Sequence, residues 1–306
     1  MEQKPVSIVF VTHNRKELLY RAIVAAKSQS VPVEIIVMDD TSSDGTAEMM
    51  QSDFPDAVYQ RSEKILGASY QRNEGAKRAT SDIIVFLDDD TIAGDKFIIE
   101  KTLADFNQPY VGAVAIPFIN ILQNNQIQAG APDKNDIYLL HAFIGAAFAV
   151  KRDLFLKLGG FRNEYFYMGE EGDFCLRLLE AGYYVKAGTS VPAHHYQPAN
   201  RVSEKADYYG RRNDIFTIYL NCPRKYIVPY MMGAIVKGLW FGIKKGRLKI
   251  MGKGIADGLG MVLSSEYKNL IKPIEDSVYL KFRYLKKNEP LPHKKLAQMR
   301  FQIPFL

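Results

Sequence analysis

Asp88, Asp89 and Asp90 stand in a row directly after the apolar run Ile83-Ile84-Val85-Phe86-Leu87. Three carboxylates at the end of a strand repel one another, so a cation is needed to compensate them. Mg2+ or Mn2+ is the natural choice, because hard ions take oxygen ligands and keep substrate phosphates in their shell. Two other stretches hold groups of related chemistry, the acids of Glu170-Glu171-Gly172-Asp173 and the pair His194-His195. A pair of histidines is more often structural or solvated than ligating, so its weight depends on where the chain places it.

The elements that would position these residues follow from apolar patterning. Residues 6–11 form a continuous β-branched run that ends at Thr12-His13-Asn14, as a strand covered on both faces does. Residues 15–29 read as a helix with Leu18, Leu19, Ala22, Ile23 and Ala26 on one side. Residues 33–38 are a second buried strand, closing on Asp39-Asp40. Ser43-Asp44-Gly45 is turn chemistry, and Thr46 is expected to cap a short helix from Ala47. Residues 67–79 suit a helix, and 83–87 are the third strand. Strands alternating with helices predict a mostly parallel α/β sheet, in which ligands gather at the carboxyl ends of the strands. All three ends are polar here: Thr12, Asp39-Asp40 and Asp88 to Asp90. Further on, 111–118 reads as one strand, 143–150 is small and apolar, and 151–158 is a helix that stops at Gly159-Gly160. The acids at 170–173 open another helix, where its dipole favours them, and Gly182 closes it.

The run Gly67-Ala68-Ser69-Tyr70-Gln71-Arg72-Asn73-Glu74-Gly75-Ala76, a strand and then the acid triplet, taken in that order, resembles the family 2 glycosyltransferases of GT-A fold. Val6 to Arg15, Glu34 to Thr46, Gly145-Ala146-Ala147-Phe148, Gly159-Gly160-Phe161, Gly169 to Asp173 and Arg212-Asn213 follow in the family's order, over roughly residues 5–215. The resemblance implies a GT-A type, Rossmann-like α/β fold, mixed but mostly parallel, and a metal-dependent inverting transfer from a UDP- or dTDP-sugar. It places Thr12, Asn14 and Gly67 at the nucleotide-sugar, and Asp40 on the uracil or thymine ring. Arg72 and Asn73 fall near the nucleotide, Asp88 and Asp89 on ribose and pyrophosphate, and Asp90 on the metal, in an Asp-x-Asp motif. Arg212, with Arg211 and Asn213, is expected to reach the diphosphate. Glu171 occupies the place of the base that deprotonates the acceptor hydroxyl. Many relatives have Asp there, so the choice between Glu170 and Glu171 stays open. A histidine near His194 and His195 is implied at the metal or pyrophosphate, with a lean toward His194. Asp39 is expected to turn away, and Asp173 to brace the helix start.

Composition sets the outer bounds. The 306 residues are 47% hydrophobic and 24% charged, which excludes a disordered or collagen-like chain. Two cysteines, Cys175 and Cys222, exclude a disulfide scaffold and a four-thiolate zinc site. The first residues run straight into a strand, so no secretory signal is expected and a reducing cytoplasm fits. The net charge of +6 is uneven: residues 206–306 hold 19 Lys and Arg against 7 Asp and Glu, leaving 21 against 27 before them.

The division expected is a catalytic domain over residues 1–220 and a basic, mainly helical extension over 221–306. Residues 226–243 are apolar apart from Lys237, are interrupted by Pro229 and three glycines, and lead into Lys244, Lys245, Arg247, Lys249 and Lys253. Such a stretch fits a helix lying on an anionic membrane face, or a buried helix with a solvated basic side. It carries no nucleic-acid motif, so no nucleic-acid partner is expected. The expected acceptor is a glycan or lipid-linked glycan in cell-surface polysaccharide assembly, with the protein peripheral on the inner face of the membrane. Two other readings compete. Asp88-Asp89-Asp90-Thr91 is similar to the nucleophile loop of haloacid-dehalogenase-like phosphatases, though two strands precede it here. A non-catalytic nucleotide-sugar-binding scaffold would keep the fold and lose the chemistry.

Overall fold

The computed structural model describes residues 6–198 and 204–298. The five N-terminal residues, on which the expectation of no secretory signal rests, lie outside these. Among the described residues the strands are β1 (Val6–Thr12), β2 (Val33–Asp39), β3 (Val58–Arg61), β4 (Ile83–Asp88), β5 (Thr91–Ile92), β6 (Val111–Ala115), β7 (Phe118–Asn120), β8 (Ile127–Gln128), β9 (Tyr138–Leu140), β10 (Ala147–Lys151), β11 (Tyr184–Ala187), β12 (Ala193–His195) and β13 (Leu291–Pro292). The α-helices are α1 (Lys16–Lys27), α2 (Thr46–Asp53), α3 (Ala68–Arg78), α4 (Ile98–Ala104), α5 (Arg152–Lys157), α6 (Glu170–Glu180), α7 (Glu204–Asn221), α8 (Ile227–Lys244), α9 (Leu248–Leu263), α10 (Asp276–Asn288) and α11 (His293–Ala297).

The main sheet has the order β13-β9-β11-β6-β10-β4-β1-β2-β3. Its strands run one way except β9 and β10, which are reversed. The fold is therefore α/β, with a mixed, mostly parallel central sheet flanked by helices and a helical C-terminal part. A second, small sheet has the order β5-β12-β7-β8.

The continuous apolar character of β1 has the cause expected of it. Ile8 and Phe10 enter one core layer with Leu19 and Ile23 of α1, while Val9 enters the opposite layer with Phe86, Phe148 and Phe174. The parallel register sets Thr12 beside Asp39 and Val11 beside Asp88, so three polar strand ends meet at one edge of the sheet.

Two local expectations are corrected. Thr46 is the first residue of α2 and not its cap: Gly45 holds the N-cap position at φ +86°, and the Asp44 carboxylate before it accepts the Thr46 N–H at 3.2 Å and the Thr46 hydroxyl at 2.6 Å. Residues 111–118 are two strands, because Pro117 offers no N–H to a ladder and the chain leaves β6 there to start β7 in the small sheet. The apolar stretch 143–150 yields β10, reversed between β4 and β6. The chain beyond residue 220 also returns to the sheet. β13 pairs with β9, and Ile274, Tyr279, Phe282 and Leu285 enter the core layer of Phe86.

Candidate active site

The acid triplet acquires its partner through the small sheet. β5 begins one residue after Asp90 and pairs with β12, which sets His195 opposite Thr91. His195 Nε2 then lies 3.0 Å from Asp90 Oδ1. Asp88, Asp90 and His195 each offer a ligand atom, all within 4.8 Å of one another. Adjacent strand residues face opposite ways. His194 accordingly sits against Gly94, where an added Cβ would come 3.4 Å from its Nε2. The sequence-level lean toward His194 is corrected on this ground: His195 is the residue brought to the acids.

This donor set fits a divalent ion. Two carboxylates and an imidazole suit Mg2+ or Mn2+. Neither ring nitrogen of buried His195 makes a well-angled hydrogen bond, in spite of the short approach to Asp90.

A cation of the chain itself compensates the other side of the triplet. Arg15 Nη1 donates to Asp89 Oδ1 at 2.9 Å and to Asp90 Oδ2 at 2.7 Å. Thr12 donates its hydroxyl to Asp89 Oδ2 at 2.8 Å. Burial pushes the Asp89 carboxyl up to about 7 against the pull of Arg15, and the neighbouring Asp90 and Asp88 add to the rise. Burial alone would lower the Arg15 pKa, but Asp89 and Asp90 outweigh it and hold the guanidinium charged.

Arg72 joins the triplet to the acids of α6. Its Nη2 donates to Asp88 Oδ1 at 2.9 Å and to the Gly145 carbonyl at 3.1 Å, while Nη1 donates to Glu170 Oε1 at 3.0 Å. Glu170 is buried, and burial together with the charge of Glu171 raises its pKa against the opposing pull of Arg72. Glu171 is more open. Its Oε1 accepts the Gly145 N–H at 3.1 Å, and the side chain borders the cleft. A Cβ at Gly145 would come 2.7 Å from Glu171 Oε1 and 2.9 Å from Arg72 Nη2, so a larger residue there would displace both side-chain ends.

The cleft has a volume of about 450 Å³, the size of an ordinary small-molecule site. Thr12, Asp40, Gly67, Arg72, Asp88, Asp89, Glu170, Glu171 and His195 border it, and Asp90 is buried beside them. Asn14, Asn73, His194 and Arg212, together with Arg211 and Asn213, do not border it. Asn14 accepts the Ser43 N–H through Oδ1 at 2.7 Å and so pins the loop after β2. Asn73 exchanges two hydrogen bonds with the Phe161 backbone, at 2.7 and 2.8 Å. His194 is turned away. Arg212 donates to the carbonyls of Glu164 and Tyr165 at 2.6 and 2.9 Å and stacks over Tyr209. Asp40, though at the cleft, already accepts from Leu66 N–H, Gly67 N–H and Gln71 Nε2 at 2.8 to 3.0 Å. It holds the loop that enters α3 and keeps little acceptor capacity for a base ring.

Sequence reasoning missed Arg15 as a site residue, along with Lys205 and the loop Phe166-Tyr167-Met168, which also border the cleft. The demand for a cation near three acids was the signal that could have found Arg15, four residues after an apolar strand. Asp39 does turn away, accepting Ser42 N–H and the Tyr59 hydroxyl. Asp173 binds Arg162, Arg177 and Asn221, and so locks α6 to the end of α7.

Known proteins resemble this chain in sequence and in fold. The family model for glycosyl transferase family 2 matches residues 7–159, half of the chain. The O-antigen chain rhamnosyltransferase RfbN of Salmonella typhimurium is 24% identical over 213 residues, covering 63% of this chain and 68% of that one. With two other curated glycosyltransferases the identity is 32% and 30%, and the match spans only 27% and 31% of their length. The mannosyltransferase PcManGT of Pyrobaculum calidifontis, solved with GDP-Man and Mn2+, has the same fold at a TM-score of 0.57. It is 18% identical, and the match covers 87% of this chain and 83% of that one. S. aureus TarS, solved with UDP-GlcNAc, has it at a TM-score of 0.59 and 13% identity, over 93% and 88% of the two chains.

Proposed function

Because the chain belongs to glycosyl transferase family 2, we propose that it is a metal-dependent inverting glycosyltransferase. The donor in this reading is a UDP- or dTDP-sugar carrying a hexose or deoxyhexose. The acceptor is a hydroxyl of a glycan or lipid-linked glycan, in assembly of a cell-surface polysaccharide on the cytoplasmic side of a membrane. RfbN, named as an O-antigen rhamnosyltransferase, and TarS, solved with UDP-GlcNAc, support the donor and acceptor classes.

One observation carries the reading: the metal-capable cluster of Asp88, Asp90 and His195 and the carboxylate of Glu171 share a single cleft, tied together through Arg72 and Gly145. A divalent ion held by Asp88, Asp90 and His195 would neutralise charge on the departing diphosphate. Glu171, held by the Gly145 N–H on one oxygen, has the other for the acceptor hydroxyl, and takes its proton as the oxygen attacks the anomeric carbon. A single displacement from the face opposite the diphosphate inverts that carbon. Glu170 is engaged by Arg72 and buried, so it positions the guanidinium and is not the base. Arg15 keeps Asp89 and Asp90 in place, and Thr12 orients Asp89. The phosphatase reading is disfavoured because Asp88 to Thr91 lie within the stretch matched by the glycosyl transferase family 2 model and follow β1 and β2 of the sheet.

The test is transfer from UDP- and dTDP-sugars with and without Mn2+, together with nucleotide binding. Glu171→Gln is expected to lower kcat at least 100-fold while donor Kd stays within about threefold. Glu170→Gln is expected to retain far more turnover. Full activity in chelator, phosphate release from simple phosphoesters, or turnover indifferent to Glu171→Gln would each overturn the proposal.

A further inference from the structure

The part of the molecule not engaged by this chemistry is the hairpin of α8 and α9. Gly238 and Gly242 lie on the buried side of α8: a Cβ on Gly238 would come 3.0 Å from Arg211 Cδ, and one on Gly242 3.0 Å from Leu248 Cα. The other side is apolar and uncovered. Val228 is 70% exposed, Val236 61%, Trp240 61% and Ile243 66%, with Met232 and Leu239 also exposed. At about 100° per residue these six fall within an arc of about 120°, and Lys237 and Lys244 mark its edge. Lys244 lies over the Trp240 ring at 5.2 Å. Residues 215–256 contain eight Lys and Arg and no Asp or Glu.

By length and composition the stretch Arg224–Lys244 could cross a bilayer. The packing of its neighbours forbids it. A crossing α8 would leave α7 and α9 on opposite sides of the membrane, yet these two helices are in close contact. A Cβ on Gly254 would stand 2.4 Å from the Tyr208 carbonyl oxygen, and one on Gly258 2.8 Å from that of Arg212. Arg247 in the turn after α8 pairs with Asp207 of α7 at 2.9 Å, and Tyr208 donates to Asp257 of α9 at 2.6 Å. The chain then returns to the main sheet through β13.

The geometry points to an anionic bilayer leaflet as the occupant of this face, with α8 lying flat in the interface. Its apolar arc enters the acyl boundary while Lys237, Lys244, Lys245 and Lys249 meet lipid phosphates. An apolar stripe edged only by cations, with a tryptophan beside a lysine, complements a negatively charged interface. A protein surface would need its own acids along a helix-length groove. This docking does not depend on the reaction proposed above.

Trp240 is the chain's single tryptophan, so its fluorescence reports on the face directly. The full chain is mixed at low salt with phosphatidylcholine vesicles, or with vesicles of phosphatidylcholine and phosphatidylglycerol, and floated. Flotation with the anionic vesicles alone, with a blue shift of Trp240 emission, is the expected result. V236E/I243E, on exposed positions, is expected to reduce partitioning at least tenfold with Tm unchanged, and K244E/K245E to reduce it similarly. No flotation with anionic vesicles, unshifted emission in the bound state, or equal binding by V236E/I243E would overturn the inference. A dimer that V236E/I243E abolishes, without vesicle binding, would overturn it in favour of a second copy of the chain.

Discussion

Arg15 shows how one residue can stand where an ion also belongs. Its guanidinium takes Asp89 Oδ1 and Asp90 Oδ2, leaving Asp90 Oδ1 turned to His195. In the proposed reading, arginine and a bound metal would thus act on different oxygens of one carboxylate and share the task of neutralising the triplet. Removing the arginine leaves buried acids with less compensation, a loss of about 2 kcal/mol once the partial exposure of Arg15 is allowed for. Arg15→Ala is therefore expected to lower Tm in metal-free buffer. Saturating Mn2+ should raise the Tm of the variant by more than that of the parent, because a bound cation then carries a larger share of the compensation. Scanning fluorimetry across a Mn2+ titration measures both, and an equal Mn2+ response would refute the shared role. Much of this residue set was legible beforehand, because carboxylates in sequence announce their own repulsion. Which histidine faces them was not. That depends on pairing with β5, a strand of two residues too short to carry any pattern.

The loop from Glu164 to Gly169 is the element whose function lies furthest from its sequence. Phe166 and Met168 hold φ of +59° and +69°, a region that side chains resist, and both border the cleft. What holds them is the start of the C-terminal helices. Asn213 Nδ2 donates to the carbonyls of Tyr165, Tyr167 and Met168 at 3.1, 2.9 and 2.6 Å, and Arg212 to that of Tyr165 as well and to that of Glu164. A guanidinium suits phosphate, which is the ground for expecting Arg212 and Asn213 at the diphosphate. Nothing in their spacing reveals a set of main-chain carbonyls nearly fifty residues earlier. Asn213→Ala leaves those carbonyls short of donors and is expected to cost about 1–3 kcal/mol. Donor Kd should also weaken several-fold as the cleft wall relaxes, measured by thermal melts and nucleotide titration together. A stable variant with unchanged donor binding would show that the clamp is dispensable. The strands and helices before residue 90 were far easier to read, since each is a local apolar pattern. The small sheet was not, because its strands come from four separated segments and one of them begins only where Pro117 interrupts a run.

At the scale of the whole molecule, the sequence separates an acidic front from a basic end, and the structure sews the two together. α8 touches the main core only through Ile227 and Tyr230 of its first turn, whereas α10 and β13 belong to it: Tyr279, Phe282 and Leu285 pack in the layer of Phe86 and Phe174, and β13 extends the sheet edge. Glu289 also accepts from the His141 backbone N–H at 2.7 Å, fastening the same edge. Charge counts see only the composition of this tail, so they join under one label a helix that faces outward and a helix that completes the core. Ending the chain after residue 275 removes five buried side chains, Tyr279, Phe282, Leu285, Leu291 and Leu296, worth about 1.5–3 kcal/mol each, and with them an edge strand. The expected outcome is a Tm lower by on the order of 10 °C, or insoluble protein, read by thermal melts of the shortened and full chains. In contrast, acidic substitutions on the outer arc of α8 should leave Tm where it was, since that arc buries nothing in the fold. A shortened chain with an unaltered melt would mean that the tail's contacts with the sheet contribute no stability, and that the catalytic fold is complete without them.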